Sequence, residues 1–129
     1  MDKRILIIED NEQNLYLITY ILQKNGYEVF QARNGASGIE LADKIRPVMI
    51  LLDIQLPVMD GYTVAKELRK NQDLIDTPII AVTSYAMPGD RERALESGCT
   101  GYIEKPINPE TFMSEVVQYL DYQTNEESK

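Results

Sequence analysis

Six side chains that could do chemistry follow short apolar runs of the sequence, each close to the point where a run ends. They are the carboxylates of Glu9, Asp10 and Asp53, the hydroxyls of Thr83 and Ser84, and the ammonium of Lys105. In open α/β sheets ligands bind outside the carboxyl ends of the strands, so strands at these runs would bring all six to one edge. The sequence contains no histidine, which excludes a Ser-His-Asp triad, a Cys-His pair and any His-ligated metal. The chemistry of this edge must therefore rely on carboxylates, hydroxyls and lysine.

Three carboxylates at one edge repel one another, which is costly unless a cation or a lysine compensates for their charge. Because oxygen atoms are the only ligands available, the fitting cation is a hard one, Mg²⁺ before Ca²⁺ or Zn²⁺. Mg²⁺ also serves phosphoryl transfer. Any one of these carboxylates could instead be an ordinary helix cap or a solvated strand end. The three carboxylates together, with Lys105 and Thr83 beside them, favour a Mg²⁺ site.

The strands that must position these side chains are predicted from five short runs of apolar and β-branched residues. Each run is too short for a helix, and the runs lie at 4–8, 27–32, 48–52, 78–82 and 102–104. The third run, VMILL, is the most hydrophobic and predicts the centre of a parallel sheet. Asp53 stands where this central run stops.

Helices are predicted between the strands from apolar residues at helical spacing and from their caps. Asn11 caps the first helix, which Gly26 stops, and Asp60 caps the third. Asn108-Pro109 supply the cap and first position of the last helix, whose apolar seam runs to Leu120. The remaining two are a second helix that ends before Pro47 and a short polar fourth helix at 88–97, closed by Gly98.

Strands that alternate with helices predict the α/β class: a doubly wound, five-stranded parallel sheet with helices on both faces. The 129 residues fit one domain of ordinary size. We expect that domain to span 1–121 and to be followed by a polar tail, 122–129, with no output domain.

Composition excludes several classes of protein. The single cysteine, Cys99, cannot form an intramolecular disulfide, which favours a reducing compartment. A formal charge of −8 repels a phosphate backbone and argues against direct nucleic-acid binding. The apolar run near the N-terminus is too short for a signal peptide or a membrane span. A soluble cytoplasmic protein with no membrane partner is expected.

Four separated motifs resemble the receiver domain of two-component response regulators, the CheY-like family. They are IIED (7–10), LLDIQLPVMDG (51–61), VTSYA (82–86) and YIEKP (102–106), and they cover nearly the whole chain in the order of that family. The resemblance implies the flavodoxin-like strand order 2-1-3-4-5. The segment AMPGDRERALESGC (86–99), with the expected lack of an output domain, is similar to stand-alone regulators of the DivK type.

The resemblance implies a role for each side chain at the predicted edge. Asp53 would be the phosphoacceptor, whose carboxylate attacks the phosphorus of a phosphohistidine on a sensor histidine kinase or histidine phosphotransfer protein. Mg²⁺ would be held by Asp10, Asp53 and the backbone carbonyl of Gln55. Glu9 would act mostly through waters on the ion. Lys105 would pair with a phosphoryl oxygen and, in the resting state, with Asp53.

The family's switch residues would connect Asp53 to an output surface. Thr83 would donate its hydroxyl to the acyl phosphate and Tyr102 would rotate inward, although a strand-end threonine and a core-edge tyrosine are the plain alternatives. The surface would comprise the fourth helix (about 88–97), the last strand and the last helix (about 109–120). A downstream protein would bind there. The resemblance also implies a cis Lys105-Pro106 peptide.

Two features modify the family pattern. The acid pair is Glu9-Asp10 rather than two aspartates, and the longer Glu could shift the metal slightly. Gln55 and Tyr85 occupy positions that in this family tune the lifetime of the phosphoryl group by shaping the access of water.

The implied function is a signalling switch in a two-component phosphorelay, which catalyses its own Mg²⁺-dependent phosphorylation and dephosphorylation but is not a dedicated enzyme. An FMN carrier of the same fold would need a phosphate-cradling first loop, whereas EDNEQN is acidic. A haloacid-dehalogenase-type phosphatase would need an Asp two residues after Asp53, where Gln55 stands. The alternative kept open is a pseudo-receiver that acts as a constitutive interaction module. A pseudo-receiver usually lacks the acid pair, the acceptor or the lysine, and this sequence has all of them.

Overall fold

The computed structural model describes residues 2–84 and 87–127, with the backbone alone for 121–127. Within these residues five strands alternate with five α-helices. The strands are β1 (Arg4–Ile8), β2 (Glu28–Ala32), β3 (Met49–Asp53), β4 (Ile79–Thr83) and β5 (Gly101–Glu104). The helices are α1 (Glu12–Lys24), α2 (Gly35–Ile45), α3 (Gly61–Arg69), α4 (Asp90–Glu96) and α5 (Phe112–Glu127), with a 3₁₀ turn at Gln72–Leu74. The predicted alternation of strands and helices is confirmed.

All five strands are parallel and form one sheet in the order β2-β1-β3-β4-β5. The predicted fold class and strand order are therefore confirmed. β3 and β4 are buried along their whole length, because each has a neighbouring strand on both sides. The register pairs Asp53 with Val82 and Thr83 with Glu104, which brings the carboxyl ends of β3, β4 and β5 close to one level.

The strands bury apolar side chains on both faces of the sheet. Leu6, Ile50 and Ile79 belong to a layer that packs against α2, α3 and α4. Ile5 and Leu51 belong to the opposite layer, which packs against α1 and α5. Burial on both faces explains why the strands appear in the sequence as continuous apolar runs rather than as alternating patterns.

Side-chain caps fix where the helices begin. Asn11 Oδ1 accepts the Asn14 N–H at 2.9 Å, and Asp60 Oδ1 accepts the Thr63 N–H at 2.9 Å. Both predicted caps are therefore confirmed, and each satisfies a backbone donor that the helix itself leaves unpaired. The Asn11 cap starts α1 directly after the Glu9-Asp10 pair, and the Asp60 cap starts α3 directly after the segment that follows Asp53.

The last helix differs from the prediction at both ends. Asn108 opens a turn instead of the helix itself: its Oδ1 accepts the Glu110 N–H at 3.0 Å, and α5 begins at Phe112. The backbone of α5 continues to Glu127, well past Leu120. The polar residues after Leu120 include neither Gly nor Pro, so the sequence supplies no residue that stops a helix. The boundary of the domain at residue 121 stays a prediction.

Among the residues that the structure describes, no helix is both long enough and apolar enough to cross a bilayer.

Candidate functional site

The ends of four strands bring the predicted side chains to one edge of the sheet. Glu9 follows β1, Asp53 is the last residue of β3, and Thr83 is the last residue of β4. Lys105 follows β5, and its N–H donates to Thr83 O at 2.7 Å, which ties the ends of β4 and β5 together. The rule that ligands bind outside the carboxyl ends of the strands makes this edge the candidate site.

The Lys105 ammonium lies between two carboxylates. Its Nζ is 2.9 Å from Glu9 Oε1 and 3.5 Å from Asp53 Oδ1. All three side chains are almost wholly buried, with exposed fractions of 8% for Lys105, 2% for Glu9 and 5% for Asp53. The resting pair of Lys105 with Asp53 is thus present, and Glu9 lies closer to the ammonium than the sequence indicated. One buried positive charge faces two carboxylates, so a further cation would improve the charge balance of the site.

Glu9 has the most unusual electrostatics of the site. Its Oε2 accepts the Asn11 N–H at 3.1 Å, whereas its buried Oε1 makes no directed hydrogen bond with the described residues, although Lys105 is near. Burial, together with the neighbouring Asp53 carboxylate, raises the pKa of Glu9 to about 7, and the Lys105 ammonium opposes that rise. Glu9 and Asp53 therefore share a single ammonium, which leaves negative charge that a bound cation would compensate.

The backbone after β3 holds Asp53 in place. Gln55 N–H donates to Asp53 Oδ1 at 2.9 Å, which fixes the rotation of the carboxylate. Gly61 N–H donates to Ile54 O at 3.0 Å, and a Cβ at Gly61 would lie only 2.6 Å from Asp53 O. The chain therefore closes tightly behind the carboxylate, and only a glycine allows this approach.

A three-residue turn carries the chain away from the site. Met59 N–H donates to Pro57 O at 2.7 Å, and Val58 between them has φ +68°, a value that β-branched residues rarely adopt. The Val58 side chain is fully exposed. The turn reverses the chain between Pro57 and Met59, before α3 begins at Gly61.

Thr83 and Tyr102 lie on adjacent strands beside the acidic cluster. Thr83 is buried and Tyr102 is partly buried against the layer that contains Tyr62. Burial raises the pKa of Tyr102, with further contributions from the Asp90 and Glu104 carboxylates and from Tyr62. The Lys105-Pro106 peptide is cis, as the resemblance implied. Ser84 is exposed, and Tyr85 lies outside the described residues.

The donor set fits Mg²⁺. This ion usually keeps several waters and binds through one or two carboxylates rather than in an all-protein cage. Glu9 and Asp53 supply two buried carboxylates that share one ammonium, that of Lys105. No three acidic or cysteine side chains among residues 2–84 and 87–120 form a ready-made metal group, and Asp10 is exposed. The assignment of Asp10 and of the Gln55 carbonyl as metal ligands therefore stays a prediction.

One contact beside the site was not predicted. The Arg93 guanidinium of α4 lies over the ring of Tyr62 in α3, 4.1 Å from the ring centroid. The two residues are far apart in the sequence, and although Arg93 lies in the segment 86–99, nothing in that segment indicates a contact with Tyr62.

Three comparisons describe what the chain resembles. The family model for the response regulator receiver domain matches residues 5–117. The chain is similar to the polar-differentiation response regulator DivK of Brucella anthropi, with 43% identity over 120 residues that are 93% of this chain and 98% of the relative. A CheY-like receiver domain protein from Methanospirillum hungatei has a similar structure, with a TM-score of 0.90 and 32% identity over 98% of this chain and 99% of that one. The receiver domain of a Pseudomonas aeruginosa sensor histidine kinase also has a similar structure, with a TM-score of 0.85 and 33% identity over 94% of this chain and 99% of that one. That structure is described with a magnesium ion coordinated in its active site cleft.

Proposed function

The chain belongs to the response regulator receiver family of two-component signalling, and we propose that it accepts a phosphoryl group on Asp53 from a histidine kinase or a histidine phosphotransfer protein. The phosphoryl group then changes which proteins its surface binds. The observation that carries the proposal is the buried Lys105 ammonium, set 3.5 Å from Asp53 and 2.9 Å from Glu9 at the carboxyl edge of the sheet. This arrangement joins a nucleophile, a fixed cation and a second acid in one place.

Asp53 acts as the nucleophile. Its Oδ1 accepts the Gln55 N–H and faces Lys105, which leads us to assign the attack to Oδ2. A bond forms from this oxygen to phosphorus while the phosphorus–nitrogen bond to the donor imidazole breaks, and the imidazole leaves with the electron pair. Lys105 pairs with a phosphoryl oxygen as a point charge, and Thr83 donates its hydroxyl to another. Both side chains are buried, so water competes poorly for these contacts.

Asp53 and Asp10 would hold Mg²⁺ together with the backbone carbonyl of Gln55, and Glu9 would act through waters. When bound, the ion neutralises negative charge on the acceptor and on the transferring phosphoryl group. Two observations support this part of the proposal: the two buried carboxylates that share one ammonium, and the magnesium described for the similar receiver domain of a sensor kinase.

The output surface comprises α4, β5 and α5. Thr83 ends β4 and lies beside Glu104 at the end of β5, so a movement of Thr83 toward a phosphoryl oxygen changes the space beside that strand. Tyr102 on β5 then turns inward and shifts the surface between two packed arrangements. A partner protein selects one of them, and the family's role as a switch rather than a dedicated enzyme follows from this.

The alternative, a pseudo-receiver that binds partners constitutively, is not favoured, because Glu9, Asp53 and Lys105 are all present and in contact. Incubation with acetyl phosphate and Mg²⁺, followed by intact-mass measurement, separates the two. We expect one added phosphoryl group, little or none in excess EDTA, and none for Asp53→Asn. An unchanged mass of the native chain would support the pseudo-receiver, and equal labelling in EDTA would contradict the metal role.

A further inference from the structure

A cation–π contact joins α4 to α3. The Arg93 guanidinium carbon lies 4.1 Å from the centroid of the Tyr62 ring, inside the range of about 6 Å over which such contacts act. Within the described part of the chain Arg93 forms no ion pair with a carboxylate. The tyrosine ring is therefore the group that its positive charge faces most closely.

Tyr62 is the fixed side of this contact. It is 8% exposed and is part of the apolar layer that covers one face of the sheet. It follows Gly61, whose N–H donates to Ile54 O at 3.0 Å and whose close packing on Asp53 O leaves no space for a side chain. The ring therefore moves with the segment that holds the phosphoacceptor, not with α4.

α4 is the loosely held side. It has seven residues, of which Ala94 alone is buried. The residue before it, Gly89, has φ +93° and gives no side-chain cap. A helix this short is not stable by itself and depends on its tertiary contacts. The stacking of Arg93 on Tyr62 therefore acts together with the burial of Ala94 to fix α4 against the rest of the domain.

Tyr102 lies near Tyr62 and near the start of α4. It packs against the same layer as Tyr62, and the Asp90 carboxylate at the start of α4 is close enough to affect its phenol. An inward turn of Tyr102 removes its side chain from the surface beside α4, so α4 must settle differently against β5. Because Tyr62 does not follow α4, such a shift weakens the stacking with Arg93.

We propose that the contact between Arg93 and Tyr62 is a latch that holds α4 in the resting arrangement and opposes the inward rotation of Tyr102. This inference rests on the proposed function. A cation–π contact of an exposed arginine shifts a two-state equilibrium about two- to fivefold. The latch therefore sets the fraction of molecules that are active before phosphorylation, while the phosphoryl group supplies the larger bias.

The test compares Arg93→Met with Arg91→Met, which removes the same charge from an exposed residue of the same helix. Arg93→Lys keeps a cation and should restore part of the effect. In the unphosphorylated protein we expect Arg93→Met to move the amide resonances of α4 and β5 toward the positions they have in the phosphorylated native protein. The size of the movement should match a change of about two- to fivefold in the equilibrium between the resting and active arrangements. Amide hydrogen exchange in α4 should accelerate by a similar factor.

Unchanged resonances and exchange in Arg93→Met would overturn the latch, as would an equal change in Arg91→Met, which would indicate a general charge effect. Tyr62→Leu should reproduce the shift, and Arg93→Met should add little to it in the double variant, because the two substitutions remove the same contact. Additive effects would contradict the latch. If the native chain takes no phosphoryl group, the proposed function fails as well. If it does, and Arg93→Met behaves as native, the latch alone fails.

Discussion

Lys105 places one positive charge against the buried carboxylates of Glu9 and Asp53. Removal of one partner from a buried ion pair is strongly destabilising, because the charge that remains is neither solvated nor paired. In this site two acids would be left without their shared cation. Burial and the neighbouring Asp53 carboxylate raise the pKa of Glu9, and the same crowding of buried acids favours the proposed Mg²⁺ site.

Lys105→Met should lower the unfolding free energy by about 3 kcal/mol in the absence of divalent cations. Lys70→Met is the matched control, because Lys70 pairs with Glu67 on the surface, where its side chain is 72% exposed. That substitution should change stability by less than about 0.5 kcal/mol. Urea denaturation at neutral pH in EDTA measures both. Equal stability losses for the two variants would show that the buried ammonium does not offset the acids.

At the scale of elements, the close return of α3 behind β3 determines where Asp53 points. The Gly61 hydrogen bond to Ile54 closes this segment, and the turn at Val58 directs the chain away from the edge. The cap at Asp60 then starts the helix. All three features are local, and Gly61 and Asp60 are residue types that suit their positions, whereas Val58 does not suit its positive φ. The close approach and the cap were therefore marked in the sequence, and the conformation of Val58 was not.

Gly61→Ala should impair both stability and phosphorylation. The added Cβ would lie 2.6 Å from Asp53 O and from Ile54 Cα, both backbone atoms that cannot move without displacing Asp53. We expect a loss of about 1–3 kcal/mol, typical of overpacking, and slower labelling by acetyl phosphate in Mg²⁺.

Gly26→Asn is the control for Gly61→Ala. Gly26 has φ +89°, but a Cβ added there would meet no atom within 4 Å, and asparagine tolerates left-handed backbone better than most residues. The Gly26→Asn variant should be labelled by acetyl phosphate at the same rate as the native chain. A Gly61→Ala variant that is phosphorylated at the native rate would contradict the positioning role of this segment.

The positions of the strands and most helices could be predicted because each depends on a local pattern. Apolar runs marked the strands, and Asn11 and Asp60 marked two helix starts. The start of α5 was misplaced because Asn108 caps a turn with the same residue type that caps a helix. Its end was misplaced because polarity alone does not stop a helix.

At the scale of the whole molecule, the sequence could not indicate which distant residues meet. The short distance from Lys105 to Glu9 and the stacking of Arg93 on Tyr62 depend on how β5 and α4 pack against the rest of the domain. Neither contact leaves a periodic or spaced signal. The shared edge of the six chemical side chains, in contrast, follows from the parallel topology, and the structure brings Glu9, Asp53 and Lys105 into contact there.

The net charge of −8 and the paired buried acids predict that Mg²⁺ stabilises the folded chain. At a concentration about ten times its dissociation constant, an ion that binds only the folded state adds about 1.4 kcal/mol to the unfolding free energy. Thermal unfolding with and without Mg²⁺ measures this increment. Asp10→Asn should reduce it, whereas Asp43→Asn, which alters a carboxylate bonded to Asn71 away from the site, should not. An increment that is the same in all three proteins would contradict the proposed ligands.

The central claim is that Asp53 is the residue that takes the phosphoryl group, and locating the label tests it most directly. After treatment with acetyl phosphate and Mg²⁺, borohydride reduction converts an aspartyl phosphate into homoserine, which peptide mass spectrometry can place. We expect homoserine at position 53 and at no other aspartate, with none in the Asp53→Asn variant. Homoserine at Asp10 or Asp60 in the native chain, or undiminished labelling of Asp53→Asn, would contradict the account.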